Sequence, residues 1–254
     1  MQVDIRDKVI VITGAAQGLG RTLALGLAAE GARIAVVARS EAKAAGTVDE
    51  IVAEVPGAPK PLGVVADVSD EDQVRAAAET VDAHWGRVDA LISNAGWMPP
   101  SGSMRVLDFE LADLRRVVDS NLIGCFLVTK HFAPVMIRGG GGRIVYVGSM
   151  VGTQSGPGAA AYGATKAGVH LLSNVVHQEL AGQGIRTVAL APGLTDTPGM
   201  RASVNEEHIA RVSARYPGGR VGQSDDIVPF AAFLCSDAAS HLSGTLMGIR
   251  PITG

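Results

Sequence analysis

The chain has 254 residues, 47% of them hydrophobic and 19% charged, with 22 basic against 25 acidic side chains. Low charge density and abundant Ala, Val, Leu and Ile exclude a disordered polymer, and the length suits one α/β domain that needs no disulfide staples. A net charge of −3 gives no electrostatic reason to seek a nucleic acid or an anionic membrane, and the apolar runs read as short of the ~20 residues that cross a bilayer. The segment Met1 to Lys8 is too polar to open a secretory signal, so a cytoplasmic protein is expected. Lys8-Val9-Ile10-Val11-Ile12-Thr13 is a β-branched apolar run that reads as a strand; a glycine-rich turn follows, then helical periodicity over Leu19–Glu30, ended by Gly31. Ile34–Val37 reads as a strand and 41–55 as a helix. Leu62–Ala66 is the next strand, and Ser69 with Asp72 forms a capping-box-like start for a helix reaching Trp85.

Three further strands are predicted at Val88–Ser93, Arg143–Gly148 and Ile185–Ala191. Helices over 108–136 and 158–181 separate them, with Gly182 and Gly184 ending the second. A helix over 224–236 and a strand over 244–249 complete the series. Fully apolar strands alternating with helices predict a parallel sheet covered on both faces, in a single α/β domain spanning 1–254. The stretch from Gly193 to Gly219 has weak periodicity and several Pro and Gly residues. It reads either as a mobile substrate lid over about 194–218 or as a plain surface excursion. Cys125 and Cys235 lie in apolar helical contexts and read as small buried hydrophobes. His170 and His177 share a helical face without a third ligand nearby in sequence, so no metal site is expected.

The first strand runs into Thr13-Gly14-Ala15-Ala16-Gln17-Gly18-Leu19-Gly20 and then a helix. Glycines at 14, 18 and 20 permit a tight turn, close approach of backbone to a pyrophosphate and tight helix–strand packing, while the helix N-terminus offers free N–H groups. Gly14, Ala16, Gln17, Gly18, Leu19 and Gly20 are therefore candidate cofactor contacts. Three residues separate the first two glycines, unlike the common dinucleotide fingerprint, and with that spacing the chain resembles the classical short-chain dehydrogenases/reductases. Asp67-Val68 after the third strand, Asn94-Ala95-Gly96 after the fourth, Ser149 after the fifth, Tyr162 with Lys166, and Pro192-Gly193 after the sixth extend the resemblance over residues 7–249, in order. It implies a single-domain Rossmann-type doubly wound sheet that binds NAD(P) and moves a hydride between the cofactor and a carbonyl or alcohol. It also implies that Asp67 and Val68 hold the adenine, that Asn94, Ala95, Gly96, Pro192 and Gly193 border the cofactor, and that Lys166 holds the nicotinamide ribose. The Thr195 backbone and the Thr197 side chain then lie at the carboxamide, and Asn121 holds a water in a proton relay.

Where a carboxylate would bind the ribose 2′-OH of NAD, this chain has Ala38 followed by Arg39. An arginine can pair bidentately with a 2′-phosphate, so NADP(H) is favoured over NAD(H); a solvated strand-end arginine is the alternative. Tyr162 and Lys166 are four apart and fall on one helical face, where the ammonium favours the phenolate and Tyr162 can exchange a proton with a substrate oxygen. Ser149 would hydrogen-bond that oxygen. An asparagine inside a helix, as at 121, is mildly unfavourable and fits either a site residue or a satisfied core amide.

Trp97, Met98, Pro99, Met150, Val151 and Met200 should face the nicotinamide, and no arginine adjoins Ser149 or Tyr162 in sequence. A small to medium, largely uncharged ketone or secondary alcohol is therefore the expected substrate. Two alternatives remain: a 3-oxoacyl carrier-protein reductase, for which Arg115-Arg116 is a thin docking surface, and a catalytically silent nucleotide-sensing regulator. The segment Ala159–Leu180 is apolar on more than one face, which predicts a homodimer or homotetramer. The tail Ile249-Arg250-Pro251-Ile252-Thr253 departs from the family's usual ending and puts one oligomer interface in doubt.

Overall fold

The structure is a computed structural model that describes residues 3–99, 105–216 and 218–249. Residues 250–253 of the atypical tail, and Pro217 in the expected lid, lie outside the described residues. The strands are β1 (Val9–Thr13), β2 (Arg33–Ala38), β3 (Leu62–Val65), β4 (Ala90–Ser93), β5 (Gly142–Val147), β6 (Ile185–Pro192), a two-residue pair β7 (Thr195–Asp196) and β8 (Gly222–Gln223), and β9 (Thr245–Ile249). Seven of them form one sheet in the order β3-β2-β1-β4-β5-β6-β9, every neighbouring pair parallel. The intervening helices are α1 (Gly18–Ala29), α2 (Glu41–Glu54), α3 (Glu71–Trp85), α4 (Leu111–Val118), α5 (Gly124–Arg138), α6 (Ala160–Leu180), α7 (Pro198–Ser203), α8 (Glu206–Ser213) and α9 (Val228–Cys235).

Alternation along each strand assigns its side chains to two cores. Ile10, Ile12, Ile34, Val36, Val145 and Leu190 face one side, where Leu23 and Leu27 of α1, Ile51 of α2 and Leu234 of α9 cover them. Val9, Val11, Ala35, Val37 and Leu91 face the other, against Val74 and Val81 of α3, Phe132 and Met136 of α5 and Val169 and Val176 of α6. Strands buried on both faces have no polar positions to spare, which is why they read as continuous apolar runs. Each wholly buried Ile or Leu contributes about 1.5–3 kcal/mol. The doubly wound Rossmann-type fold expected from the sequence is present. Its winding reverses between β1 and β4, and a ligand crevice belongs at the carboxyl ends of the strands there.

Two local expectations are corrected. The start of α3 is not Ser69: Asp70 is the N-cap, accepting from the Gln73 N–H at 3.1 Å, while Ser69 donates its hydroxyl to Asp67 Oδ1 at 2.6 Å. The helix expected over 108–136 begins only at Leu111 and is interrupted at Asp119–Ile123 by one π-helical turn before α5. This helix, Leu111–Arg138, is long and apolar enough by length and composition to cross a membrane, although 56% of its most apolar window is buried inside the protein. The weakly periodic stretch after Gly193 contains β7, α7 and α8 among its described residues. Thr197 caps α7, with Pro198 at its first position, and Asn205 caps α8, accepting from the His208 N–H at 2.9 Å.

Candidate active site

β1 ends at Thr13, and its hydroxyl accepts the backbone N–H groups of Asn94 and Ala95, each at 3.0 Å. The Asn94 amide returns the contact, donating to the Thr13 carbonyl at 2.8 Å and to that of Gly14 at 3.4 Å. The segment after β4 is thereby tied to the turn after β1, across the point where the winding reverses. Gly14 (φ +65°) and Gly18 (φ +51°) are left-handed, a conformation costly to any residue with a Cβ. A Cβ on Gly20 would overlap the Gly14 carbonyl oxygen and the Asn94 amide nitrogen. Gln17 is the N-cap of α1 but makes no side-chain capping bond, and the first turn carries no acidic residue. The free N–H groups and partial positive charge at this helix start face the turn, so Ala16 to Gly20 form a backbone cradle suited to a pyrophosphate.

Arg39 follows β2 exposed and makes no ion pair or hydrogen bond among the described residues. By contrast Arg21 of α1 is paired with Glu50 of α2, Nε to Oε2 at 2.6 Å. Asp67 is half-buried at the end of β3; its Oδ1 accepts both the N–H and the hydroxyl of Ser69, while Val68 is buried against Gly124. The residues present thus fit a dinucleotide: a phosphate cradle after β1, a guanidinium following β2 with no partner among the described residues, and a carboxylate following β3.

On the other side of the crevice, β5 ends at Val147 and leads through Gly148 to Ser149. The Gly148 N–H reaches the Leu190 carbonyl of β6 at 2.7 Å, and Ser149 Oγ accepts the Val151 N–H at 3.2 Å. Tyr162 and Lys166 lie one turn apart in α6, as their spacing predicts. Lys166 is buried, donates to the Val147 carbonyl at 2.7 Å, and holds its ammonium 5.6 Å from the centre of the Tyr162 ring. The strand end bearing Ser149 and the helix bearing Tyr162 are therefore fastened together by the lysine. Tyr162 is half-buried. Tyr146, by contrast, is buried, shares a 2.7 Å hydrogen bond with Thr129, and is pushed well above the usual phenol range by desolvation. It is unsuited to proton exchange.

Asn121 sits in the π-helical turn, wholly buried. Its Oδ1 accepts the Trp97 N–H at 2.6 Å and its Nδ2 donates to the Trp97 carbonyl at 3.0 Å. The side-chain amide thereby clamps the segment after Asn94-Ala95-Gly96, and keeps one N–H and one oxygen lone pair beyond these two bonds. Trp97 is gripped a second time by Arg116 of α4, whose guanidinium carbon lies 4.2 Å from the ring centre. Met150 packs against Gly248 of β9, Val151 accepts the Ser155 hydroxyl on its carbonyl, Met98 is half-buried, and Met200 is buried one turn into α7.

After Pro192 and Gly193, whose N–H binds the Ile249 carbonyl at 2.7 Å, the chain folds over the crevice. The Thr195 hydroxyl donates to the Gly193 carbonyl at 3.1 Å, and Thr197 Oγ1 accepts the Met200 N–H at 3.1 Å. A Cβ at Gly18 would stand 3.8 Å from that of Thr197, and Ser203 reaches the Pro99 carbonyl at 3.4 Å. The segment from Gly193 to α7 thus bridges the glycine turn and the Trp97–Pro99 segment. Sequence reasoning missed the Thr13 hydroxyl and the Arg116–Trp97 stack. A threonine placed immediately before the first glycine is the signal for the former; the latter links residues 19 apart and leaves none.

A family model described as short chain dehydrogenase matches residues 8–208. A 3-oxoacyl-[acyl-carrier-protein] reductase, FabG, of Thermotoga maritima is 37% identical over 246 residues, covering 96% of this chain and 97% of that protein. Among solved structures, a gluconate 5-dehydrogenase from Burkholderia cenocepacia in complex with NADP and tartrate superposes with a TM-score of 0.91 at 33% identity, covering 97% of this chain and 95% of that one. A 7α-hydroxysteroid dehydrogenase complexed with NADH and a 7-oxo bile acid gives 0.90 at 29% identity, over 99% and 97%. The chain belongs to the classical short-chain dehydrogenase/reductase family and is an NAD(P)-binding oxidoreductase of the CH–OH/C=O class.

Proposed function

We propose that this oxidoreductase uses NADP(H) to interconvert a small to medium, largely uncharged ketone and its secondary alcohol, with Tyr162 as the acid/base. The observation that carries the reading is the joining of Ser149, Tyr162 and Lys166 at the ends of β5 and α6 through the lysine's bond to the Val147 carbonyl. The bound dihydronicotinamide supplies the hydride. Ser149 retains a hydroxyl proton to donate to the substrate oxygen, because its Oγ acts as an acceptor toward Val151. Tyr162 delivers a proton to that oxygen on reduction and removes it on oxidation, and the Lys166 ammonium stabilises the phenolate left behind. Asn121 contributes by fixing Trp97 and, as the family resemblance implies, by holding a water in the proton relay.

Arg39 supports NADP(H), since a guanidinium with no partner among the described residues can take a 2′-phosphate without breaking a bond to any of them. Gly14, Ala16, Gln17, Gly18, Leu19 and Gly20 would cradle the pyrophosphate, Asp67 and Val68 would border the adenine, and Thr195 and Thr197 would meet the carboxamide. α7 serves in this reading as the fixed part of a lid over 194–218. Exposed Leu111, Leu114, Ile123 and Phe126 on the α4–α5 helix and Leu171 and Val175 on α6 support a homo-oligomer, and a cytoplasmic location is carried over from the relatives. Sedimentation velocity should find a dimer or tetramer that Phe126→Asp weakens.

A second reading, reduction of a 3-oxoacyl group on a carrier protein, is favoured by the 37% identity to such reductases. Here Arg115 would face an acidic carrier, whereas Arg116 is engaged on Trp97. A panel of free ketones, secondary alcohols and a 3-oxoacyl carrier-protein thioester, run with both nicotinamide cofactors, separates the two. Turnover of free ketones with NADPH, lost in Tyr162→Phe, is expected. Activity confined to the carrier-bound thioester would replace the first reading by the second, and full activity in Tyr162→Phe would overturn both.

A further inference from the structure

Tyr162, Lys166 and His170 occupy successive turns of α6, four residues apart, and so lie on one face of the helix. The reaction above uses the first two. The third reaches the strand end on which the serine sits: the Ser149 backbone N–H is 3.4 Å from His170 Nε2. An amide N–H can only donate, so Nε2 is the acceptor, and the ring is neutral with its proton on Nδ1. Burial, and then the Lys166 charge, push the imidazole below its ordinary value, in the same sense.

Two glycines, one on each side of Ser149, receive the ring. A Cβ on Gly148 would overlap His170 Nε2, and one on Gly152 would come within 2.7 Å of Cε1. The turn closes over the imidazole because neither position has a side chain. His177, two turns further along α6, is used differently: its Nδ1 shares a 2.8 Å hydrogen bond with Ser243 Oγ beside β9, far along the helix from the serine.

We infer that His170 is a positioning residue for Ser149, its Nε2 holding the backbone amide of the serine whose hydroxyl meets the substrate oxygen. The inference rests on the proposed reaction and deepens it: a hydroxyl that must find a reacting atom loses effectiveness steeply when its backbone shifts. Leucine at this position fills the slot but accepts nothing. Glutamine carries an amide oxygen at about the reach of Nε2, and asparagine falls short of it.

The test compares His170→Leu and His170→Gln with the wild-type protein by two readouts. One is hydrogen exchange at the Ser149 amide in the intact protein; the other is steady-state turnover of NADPH with a ketone. In His170→Leu, exchange at Ser149 should quicken about tenfold and kcat fall about tenfold, with KM for NADPH within about twofold, while His170→Gln should recover both to within about threefold. Should the leucine variant not fold, His170→Asn takes its place with the same expectations. Unchanged exchange at Ser149, or a glutamine variant as impaired as the leucine one, overturns the inference. Exchange that responds as expected in a protein without carbonyl turnover upholds the contact and overturns the reaction instead.

Discussion

The turn leaving β1 is packed too closely for added side-chain atoms, tied at its carbonyls by the Asn94 amide, whereas the segment leaving β4 at Trp97 is an open wall held by longer side chains. A Cβ at 20 has no room there, because it would meet the Gly14 carbonyl oxygen and the Asn94 side-chain amide nitrogen. Across the crevice, Trp97 depends on the Asn121 amide and the Arg116 guanidinium, and a Cβ at Gly156 or Gly158 would meet nothing within 4 Å. A pyrophosphate has one shape, which N–H groups in a fixed turn can match. A wall assembled from side chains can be altered one residue at a time without disturbing that turn. Under the proposed function, specificity for the carbonyl substrate would belong to the second region and affinity for the nucleotide to the first.

Separable regions should respond separately. The largest effect is expected from Tyr162→Phe, which should lower turnover by about 10²- to 10⁴-fold while titration with NADPH, followed by nucleotide fluorescence, gives an unaltered Kd. Arg39→Asp should do the reverse. It removes a charge-assisted contact and adds a repulsive one, so the ratio of kcat/KM for NADPH over NADH should fall about 10²-fold, and an unchanged ratio would remove Arg39 from the nucleotide site. Gly20→Ala should cost about 2–3 kcal/mol by overpacking, lowering Tm by roughly 5–10 °C and weakening NADPH binding with it. The smallest effect sharpens the boundary. Arg116→Ala loses an exposed cation–π contact of about 0.5–1 kcal/mol, and it should change KM for the carbonyl without moving the Kd of NADPH. A shift in that Kd would mean that the Trp97 segment reaches the nucleotide as well.

Legibility in the sequence followed the same division. Strands buried on both faces announce themselves as apolar runs, and the glycine turn could be read because its residues are contiguous. Tyr162 and Lys166 were legible because four residues are one helical turn. The Asn121–Trp97 clamp joins positions 24 apart through a π-helical turn, and neither the distance nor the extra residue leaves a periodic trace. For Ser69 the pattern pointed one residue early, since its hydroxyl is turned back to Asp67 while Asp70 takes the cap. The helices α7 and α8 were hidden by brevity: six- and eight-residue helices show little periodicity, although Thr197-Pro198 and Asn205-Glu206-Glu207 carry ordinary start signals. The Ser149–His170 contact spans 21 residues and had no counterpart in the motif reading.

The widened turn at Asp119–Ile123 also fixes the phase of everything before it. Each residue advances an α-helix by roughly 100°, and a π turn contains one more residue than the regular ladder requires. Deleting any single residue between 119 and 123 would let the ladder regularise into one uninterrupted rod from Leu111 to Arg138. Arg116 would then swing about the axis relative to α5, away from the indole it now covers. The insertion thus acts as a mechanical key, setting the azimuth of α4 against a core-facing α5, and a one-residue deletion there should be harsher on the carbonyl side of the crevice than most substitutions in the same helix.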